Sequence, residues 1–104
     1  MSDKEMFELA AKAAGIKIKG FYSDGTPFSD VNGVNEIWNP RDDDSDALRL
    51  AVKLNFEVRI CNGVAVVNDG HSDLEHVEVD GNNPYAATRR AIVRAAAEIG
   101  RVMK

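Results

Sequence analysis

Asn62-Gly63 separates two short strand-like runs, and this dipeptide restricts the fold more than any other feature of the sequence. Both residues tolerate the positive φ of a type I′ turn, so Asn-Gly between two strand patterns predicts a two-residue β-hairpin. Such a turn fixes the register of the strands, with four opposed pairs: Cys61–Val64, Ile60–Ala65, Arg59–Val66 and Val58–Val67. A further strand is expected over residues 74–80, so the predicted sheet is antiparallel.

Capping signals predict three helices around this sheet. Ser2 and Glu5 have the spacing of a capping box, in which each side chain satisfies a free amide at the start of a helix. Asn83 followed by Pro84 gives the order of N-cap and first-turn proline that helices prefer. Between them, a helical apolar period begins after an acidic stretch. The predicted helices span residues 3–14, 44–54 and 84–102.

The remaining segments are expected to form one strand and one long loop. Residues 16–22 alternate between apolar and polar side chains, which predicts a half-buried strand. Residues 23–40 are rich in Gly, Pro, Asn, Asp and Ser, a composition typical of turns, so we expect an ordered loop that Trp38 holds to the core. The predicted fold class is α+β: a single domain over residues 1–104, with three helices and an antiparallel sheet of three to four strands in the order α-β-α-β-β-β-α.

The predicted register leaves apolar residues on the sheet face opposite the core. Val77 and Val79 are assigned to the core face with Val58, Ile60, Ala65 and Val67. The opposite face is predicted to hold Phe21, Cys61, Val64 and Val66, together with Arg59, His76 and Glu78. Solvated antiparallel faces usually alternate cleanly, so we expect a helix, the long loop or a second subunit of a homo-oligomer to cover this half-polar face.

Composition excludes several classes of function. The 104 residues carry a net charge of -4, whereas proteins that bind a phosphate backbone with their whole surface present a dominant positive footprint. No run approaches the roughly 20 apolar residues of a membrane span, and the start of the chain lacks the basic and apolar regions of a secretory signal. The single cysteine, Cys61, cannot form an internal disulfide. We therefore expect a cytoplasmic protein that does not enter the membrane.

Neither a catalytic nor a metal-binding arrangement is indicated. The aspartates Asp42, Asp43, Asp44 and Asp46 could bind a hard cation, but the start of a helix explains them better, and the segment lacks the glycine and distal glutamate of an EF-hand. His71 and His76 have no third zinc ligand at a recognised spacing. Because no spacing places a nucleophile beside a histidine that a third group orients, and no glycine-rich phosphate loop is present, we expect neither an enzyme nor a cofactor.

The last helix carries the best candidate residues for an acidic partner. Arg90, Arg94 and Arg101 line one of its faces with Arg89 on the flank, and guanidinium groups match phosphate or carboxylate geometry. The order of a helix, three strands and a helix is also that of double-stranded RNA binding domains. Glu98 has the spacing to pair with Arg94 or Arg101, so a solvated helix face is the competing interpretation.

The segment Trp38-Asn39-Pro40 has two interpretations. It could hold a ligand through indole stacking and the Asn39 amide, which would make the long loop and the acidic helix start the walls of a small-ligand or nucleotide pocket. Alternatively, it docks the loop and directs the chain into the second helix, because proline biases Asn39 away from the helical region.

Two segments resemble the phage ABA sandwich family, small proteins of tailed phages and prophages. They are the W-N-P motif at 38–40 with its acidic D-A-L helix start at 46–48, and the A-x-x-R-A-I pattern that begins at Ala87. The likeness covers about residues 36–102 and implies helices on both sides of a sheet, without a known reaction. Together with the absence of a catalytic arrangement and the uncovered apolar residues, this leads us to expect a non-enzymatic phage accessory protein that binds a host or phage macromolecule, as a homo-oligomer through the half-polar sheet face. Nucleic-acid binding and small-ligand binding are the alternatives.

Overall fold

The computed structural model of the chain describes residues 2–31, 33–70, 75–79 and 82–103. Its elements are α1 (Asp3–Ala14), β1 (Ile18–Phe21), β2 (Pro27–Val31), β3 (Val34–Ile37), α2 (Asp44–Lys53), β4 (Glu57–Cys61), β5 (Val64–Asn68), β6 (Glu75–Val79) and α3 (Pro84–Val102). The strands form two antiparallel sheets, in the orders β1-β2-β3 and β4-β5-β6. The α+β class and the alternation of helices with groups of strands are confirmed.

Ser2 and Asn83 cap the first and last helices as the sequence predicts. The Ser2 hydroxyl accepts a hydrogen bond from the backbone N–H of Glu5 at 3.2 Å. The Asn83 side chain accepts one from the N–H of Ala86 at 3.0 Å. Gly15 ends α1 in the left-handed region, with φ of 72°. Each predicted helix therefore has its boundaries within one residue of the observed ones.

The segment 23–40, predicted to be a loop, contains two strands instead. Strands β2 and β3 pair in a regular antiparallel register from Phe28–Ile37 to Val31–Val34. Two residues separate these strands, and the second of them, Gly33, has φ of 83°. The dipeptide at 32–33 is again Asn-Gly, the signal that identified the other hairpin. It was obscured because the flanking strands are short and largely polar.

The predicted register of the β4–β5 hairpin is correct at every pair. Asn62 and Gly63 have φ of 52° and 78°, the values that a type I′ turn requires. These angles explain why Asn-Gly occupies the turn.

The predicted facing of β6 is reversed. Val77 lies opposite Val66, and His76 lies opposite Val67. Opposed residues share a sheet face, so Val77 and Val79 lie on the outer face while His76 and Glu78 face α3. Strands β5 and β6 are not joined by a two-residue turn, so no turn fixes their register. A shift of one residue in the register moves every side chain of the strand to the opposite face. The predicted ends of this strand, Leu74 and Asp80, lie outside the described residues.

Helix α3 is the centre of the core. It packs against α1, α2, β5 and β6. Its buried residues lie around most of its circumference: Ala87, Ala91, Ile92, Val93, Ala95, Ala96, Ala97 and Gly100. The two ends of the helix lie outside the core, since Tyr85 is 69% exposed and Met103 is 41% exposed. Because most of the buried side chains of α3 are small, α1 can approach α3 closely. Large apolar side chains at the contact would keep the two helices farther apart.

The helices lie on one face of the second sheet, β4-β5-β6. Ala65 and Val67 point toward α3 and are almost fully buried, whereas Val77 and Val79 on the other face are exposed. The resemblance to the phage family implies helices on both sides of a sheet. For this sheet, the described residues cover only the inner face. No described helix is long and apolar enough to cross a membrane.

Candidate interaction surfaces

The four candidate arginines of α3 are all engaged with acidic side chains. Arg94 contacts Glu78 at 2.6 Å, and Arg90 lies 3.9 Å from the same carboxylate group. Arg101 pairs with Glu98 at 2.6 Å. These contacts explain how Glu78 is accommodated on the inner face of the sheet, because the two arginines offset its charge.

Arg89 is separated from the other arginines by its role at the start of α2. Its guanidinium contacts Asp44 at 2.6 Å and donates to the backbone oxygen of Arg41 at 2.7 Å. The Arg89 side chain is only 15% exposed. The structure therefore brings Arg90 and Arg94 together at Glu78, but it does not form a continuous row of free cations.

The Trp38-Asn39-Pro40 segment anchors the chain to the core and to α2. Trp38 is 8% exposed and packs edge to face on Phe7, with ring centroids 6.3 Å apart. The backbone N–H of Asn39 donates to the carboxylate of Asp46 at 2.9 Å, and Arg49 donates to the other oxygen at 3.1 Å. These contacts match the docking interpretation of the motif.

An ionic cluster joins α1 to the turn before α2. The Arg41 guanidinium donates to Asp3 at 2.7 Å and to Asp42 at 2.9 Å. The hydrogen bond from Arg41 is the main cause that lowers the pKa of Asp42, and the Asn39 amide contributes further. The acidic helix start is thus stabilised by the chain's own cations, and Asp43 caps α2 by accepting from Ser45 at 2.8 Å.

A pocket of about 420 Å³ lies between the first sheet and α2, next to the anchored motif. It is bordered by Ile37, Trp38, Asp46, Arg49 and Lys53 among others. Its volume falls in the range of small-molecule sites. The Asp46 carboxylate inside it is already bonded to Asn39 and Arg49, so it has little remaining capacity for a ligand.

The outer face of the second sheet carries an apolar patch, in which the residues of β4 and β6 are exposed and those of β5 are half-buried. We term it the valine face: Cys61, Val64, Val66, Val77 and Val79. The register aligns these residues in adjacent rows, so Cys61, Val64 and Val79 form one row across three strands. Val77 is 47% exposed and Val79 is 65% exposed. Burial of such side chains would be favourable, whereas the solvated face of an antiparallel sheet usually carries polar side chains.

Polar residues border the valine face on one side. Arg59 lies 3.3 Å from Glu57 on the same strand and also pairs with Glu75 on β6. Phe21, the remaining residue predicted on this face, belongs to the first sheet. There it packs partly buried against the core, with the Lys4 ammonium 5.4 Å from its ring centroid. The structure therefore groups three of the four predicted residues and adds Val77 and Val79.

A second apolar feature is a groove of about 320 Å³ between α2, β4 and α3. Val58 and Ile60 of β4 form one wall, and Leu48 and Tyr85 lie on the helical walls. Ile60, predicted to be a core residue, is 59% exposed here because the helices do not extend over it. The groove and the valine face lie on opposite sides of the same hairpin.

The described residues contain no group of three or more His, Cys, Asp or Glu side chains that could hold a metal ion. His76 lies 3.8 Å from Asp69, and His71 is outside the described residues. Cys61 is exposed on the valine face. Its thiol contributes apolar surface there.

Comparison of the chain with family models, curated proteins and solved structures finds no match. A functional proposal for the chain therefore depends on its own surface chemistry.

Proposed function

We propose that the protein is a non-enzymatic accessory protein of a phage or prophage that acts in the host cytoplasm by binding another protein through the valine face. The observation that carries the proposal is the pair of exposed valines on β6, Val77 and Val79, which lie beside the half-buried Val66 and Val64 of β5 on the same face. Covering the exposed parts of Val77 and Val79 would contribute about 1 to 2 kcal/mol for each side chain. A partner that offers an apolar patch of similar size fits this face.

The polar border supports a protein partner rather than a lipid surface. Glu57, Arg59 and Glu75 form a charged strip directly beside the valines. Protein interfaces combine an apolar centre with such a polar rim, and charges in the rim fix the orientation of the partner. The net charge of -4 also disfavours an anionic membrane or nucleic acid.

Nucleic-acid binding through the α3 arginines has less support. Phosphate contacts would compete with Glu78 for Arg94 and Arg90, and with Glu98 for Arg101. Each contact would then break an existing ion pair, which reduces the net gain from counterion release.

Co-purification from the cells that produce the protein tests the proposal. We expect a stoichiometric protein partner that is lost with Val79→Lys, because the lysine would place a charge inside the buried patch. Val102→Lys is the matched control, since Val102 is 74% exposed and lies at the end of α3. A partner that survives Val79→Lys, or that both variants lose equally, would refute the assignment of this face.

A further inference from the structure

One edge of β4 is paired with no described strand. Among the described strands, β4 lies at one edge of the second sheet and pairs with β5. A two-residue turn places a hydrogen bond between Cys61 and Val64, and hydrogen-bonded pairs then alternate along the hairpin. The backbone N–H and C=O groups of Val58 and Ile60 therefore point away from β5. Neither residue forms a backbone hydrogen bond with a described residue outside the sheet.

This edge lacks the usual protection against strand addition. Natural edge strands carry lysine, proline or a bulge, or a neighbouring element covers them. Strand β4 has no bulge in its register with β5, and its sequence, Glu-Val-Arg-Ile-Cys, contains neither lysine nor proline. Its two charged residues, Glu57 and Arg59, have opposite signs and lie on the outer face, so an added strand can pair with them. On the inner side, Val58 and Ile60 continue into the apolar groove, where Leu48 and Tyr85 are also exposed. A strand added here would place alternate side chains beside that groove.

We propose that a second copy of this chain occupies the edge, with the two β4 strands antiparallel and Val58 on the two-fold axis. This register places Glu57 opposite Arg59 of the other copy and Arg59 opposite its Glu57. Opposite charges at opposed positions stabilise a strand pair. Centring the pair on Arg59 would instead place two arginines opposite each other, which is unfavourable. Charge complementarity therefore selects both the occupant and the register.

The same register gives matching contacts on the inner side. Val58 meets its symmetry copy, and Ile60 lies opposite Phe56. The N–H of Phe56 already donates to the carbonyl of Ala51 at 2.9 Å, so only its carbonyl is expected to accept from Ile60. The result is a continuous six-stranded sheet whose two valine faces lie side by side. The inference does not depend on the proposed partner, because dimerisation is measured on the isolated chain.

Sedimentation equilibrium with a charge-reversal cycle tests the dimer. An edge pairing of this length makes a small interface, so we expect a dissociation constant of about 10 to 100 µM. Glu57→Arg or Arg59→Glu alone turns two attractive pairs into two repulsive ones and should weaken the dimer about tenfold or more. The double reversal, Glu57→Arg with Arg59→Glu, should restore it. Circular dichroism melts of each variant confirm that the fold is retained.

Amide exchange gives a second measurement on the unmodified chain. As the protein concentration rises, exchange at Val58 and Ile60 should slow, because dimerisation places their N–H groups in the new strand pair. The proposal is overturned if the chain is monomeric throughout the concentration range. It is equally overturned if either single reversal leaves the dimer unchanged, since the copies would then meet through another surface such as the valine face.

Discussion

Gly100 lies where α3 meets α1 so closely that no side chain fits between them. A β-carbon at this position would lie 1.9 Å from the backbone oxygen of Leu9 and 3.1 Å from its α-carbon. Both contacts are with backbone, so no side-chain rotation can relieve them. The replacement Gly100→Ala would require the two helices to separate by about 1 Å or more.

Gly100→Ala has two opposing effects on the free energy of unfolding, and their magnitudes decide whether the variant is more or less stable. Alanine in a helix interior is about 1 kcal/mol more favourable than glycine. Forcing a methyl group into a packed interface costs typically 1 to 3 kcal/mol, and the value here should be at or above the upper end because the neighbour is backbone. Separation would also loosen the fully buried alanines of the interface, such as Ala10 and Ala96. We therefore expect a net loss of about 2 kcal/mol or more.

Thermal unfolding followed by circular dichroism measures this loss. For a domain of this size, it corresponds to a Tm lower by about 10 °C or more. Arg101→Ala is a suitable control, because Arg101 lies on the same turn of α3, is exposed, and pairs with Glu98 at the surface. Its Tm should change by no more than a few degrees. If Gly100→Ala raised the Tm, helix propensity would dominate and the close α1–α3 contact would be refuted.

Two further predictions concern the start of α2. Asp46→Ala should lower the free energy of unfolding by about 2 kcal/mol, because the Asn39 amide loses a charged acceptor; an unchanged urea midpoint would contradict this. The Arg41 hydrogen bond lowers the pKa of Asp42, so the associated stability is fully present above the ordinary value of 3.8 and is lost as the pH falls through the lowered pKa. In Asp42→Asn, the urea midpoint should therefore fall less over this acidic range than it does in the unmodified chain. The difference should be small because Asp42 is exposed, and the same pH dependence in both proteins would contradict the role of this contact.

The helices and one hairpin could be predicted from the sequence because helix caps and the Asn-Gly turn act on residues only a few positions away. The cap at Ser2 satisfies the amide of Glu5, and Asn62-Gly63 adopts the positive φ that sets the register. The Asn-Gly at 32–33 is the same signal, and it predicts the hairpin of β2 and β3. The polar composition of residues 23–40 obscured this signal, since two of the four opposed pairs, Ser29–Glu36 and Asp30–Asn35, are wholly polar.

The facing of β6 and the surroundings of the arginines depend on tertiary contacts. The sequence could not show whether His76 or Val77 points inward, because a longer connection leaves the register free. The arginine stripe of α3 was visible, but Glu78 as the shared partner of Arg90 and Arg94 depends on that register. The valine face was therefore predicted only in part, without Val77 and Val79.

Photo-cross-linking from the valine face in cells that produce the protein tests the proposed binding role most directly. A photoreactive residue replaces Val79 in one version of the chain and Val102 in a control, since both side chains are more than half exposed. We predict one dominant cross-linked protein from position 79, lost when Val77→Lys is added, and none from position 102. No cross-linked protein at position 79, or the same products from both positions, would contradict the valine face as the binding surface.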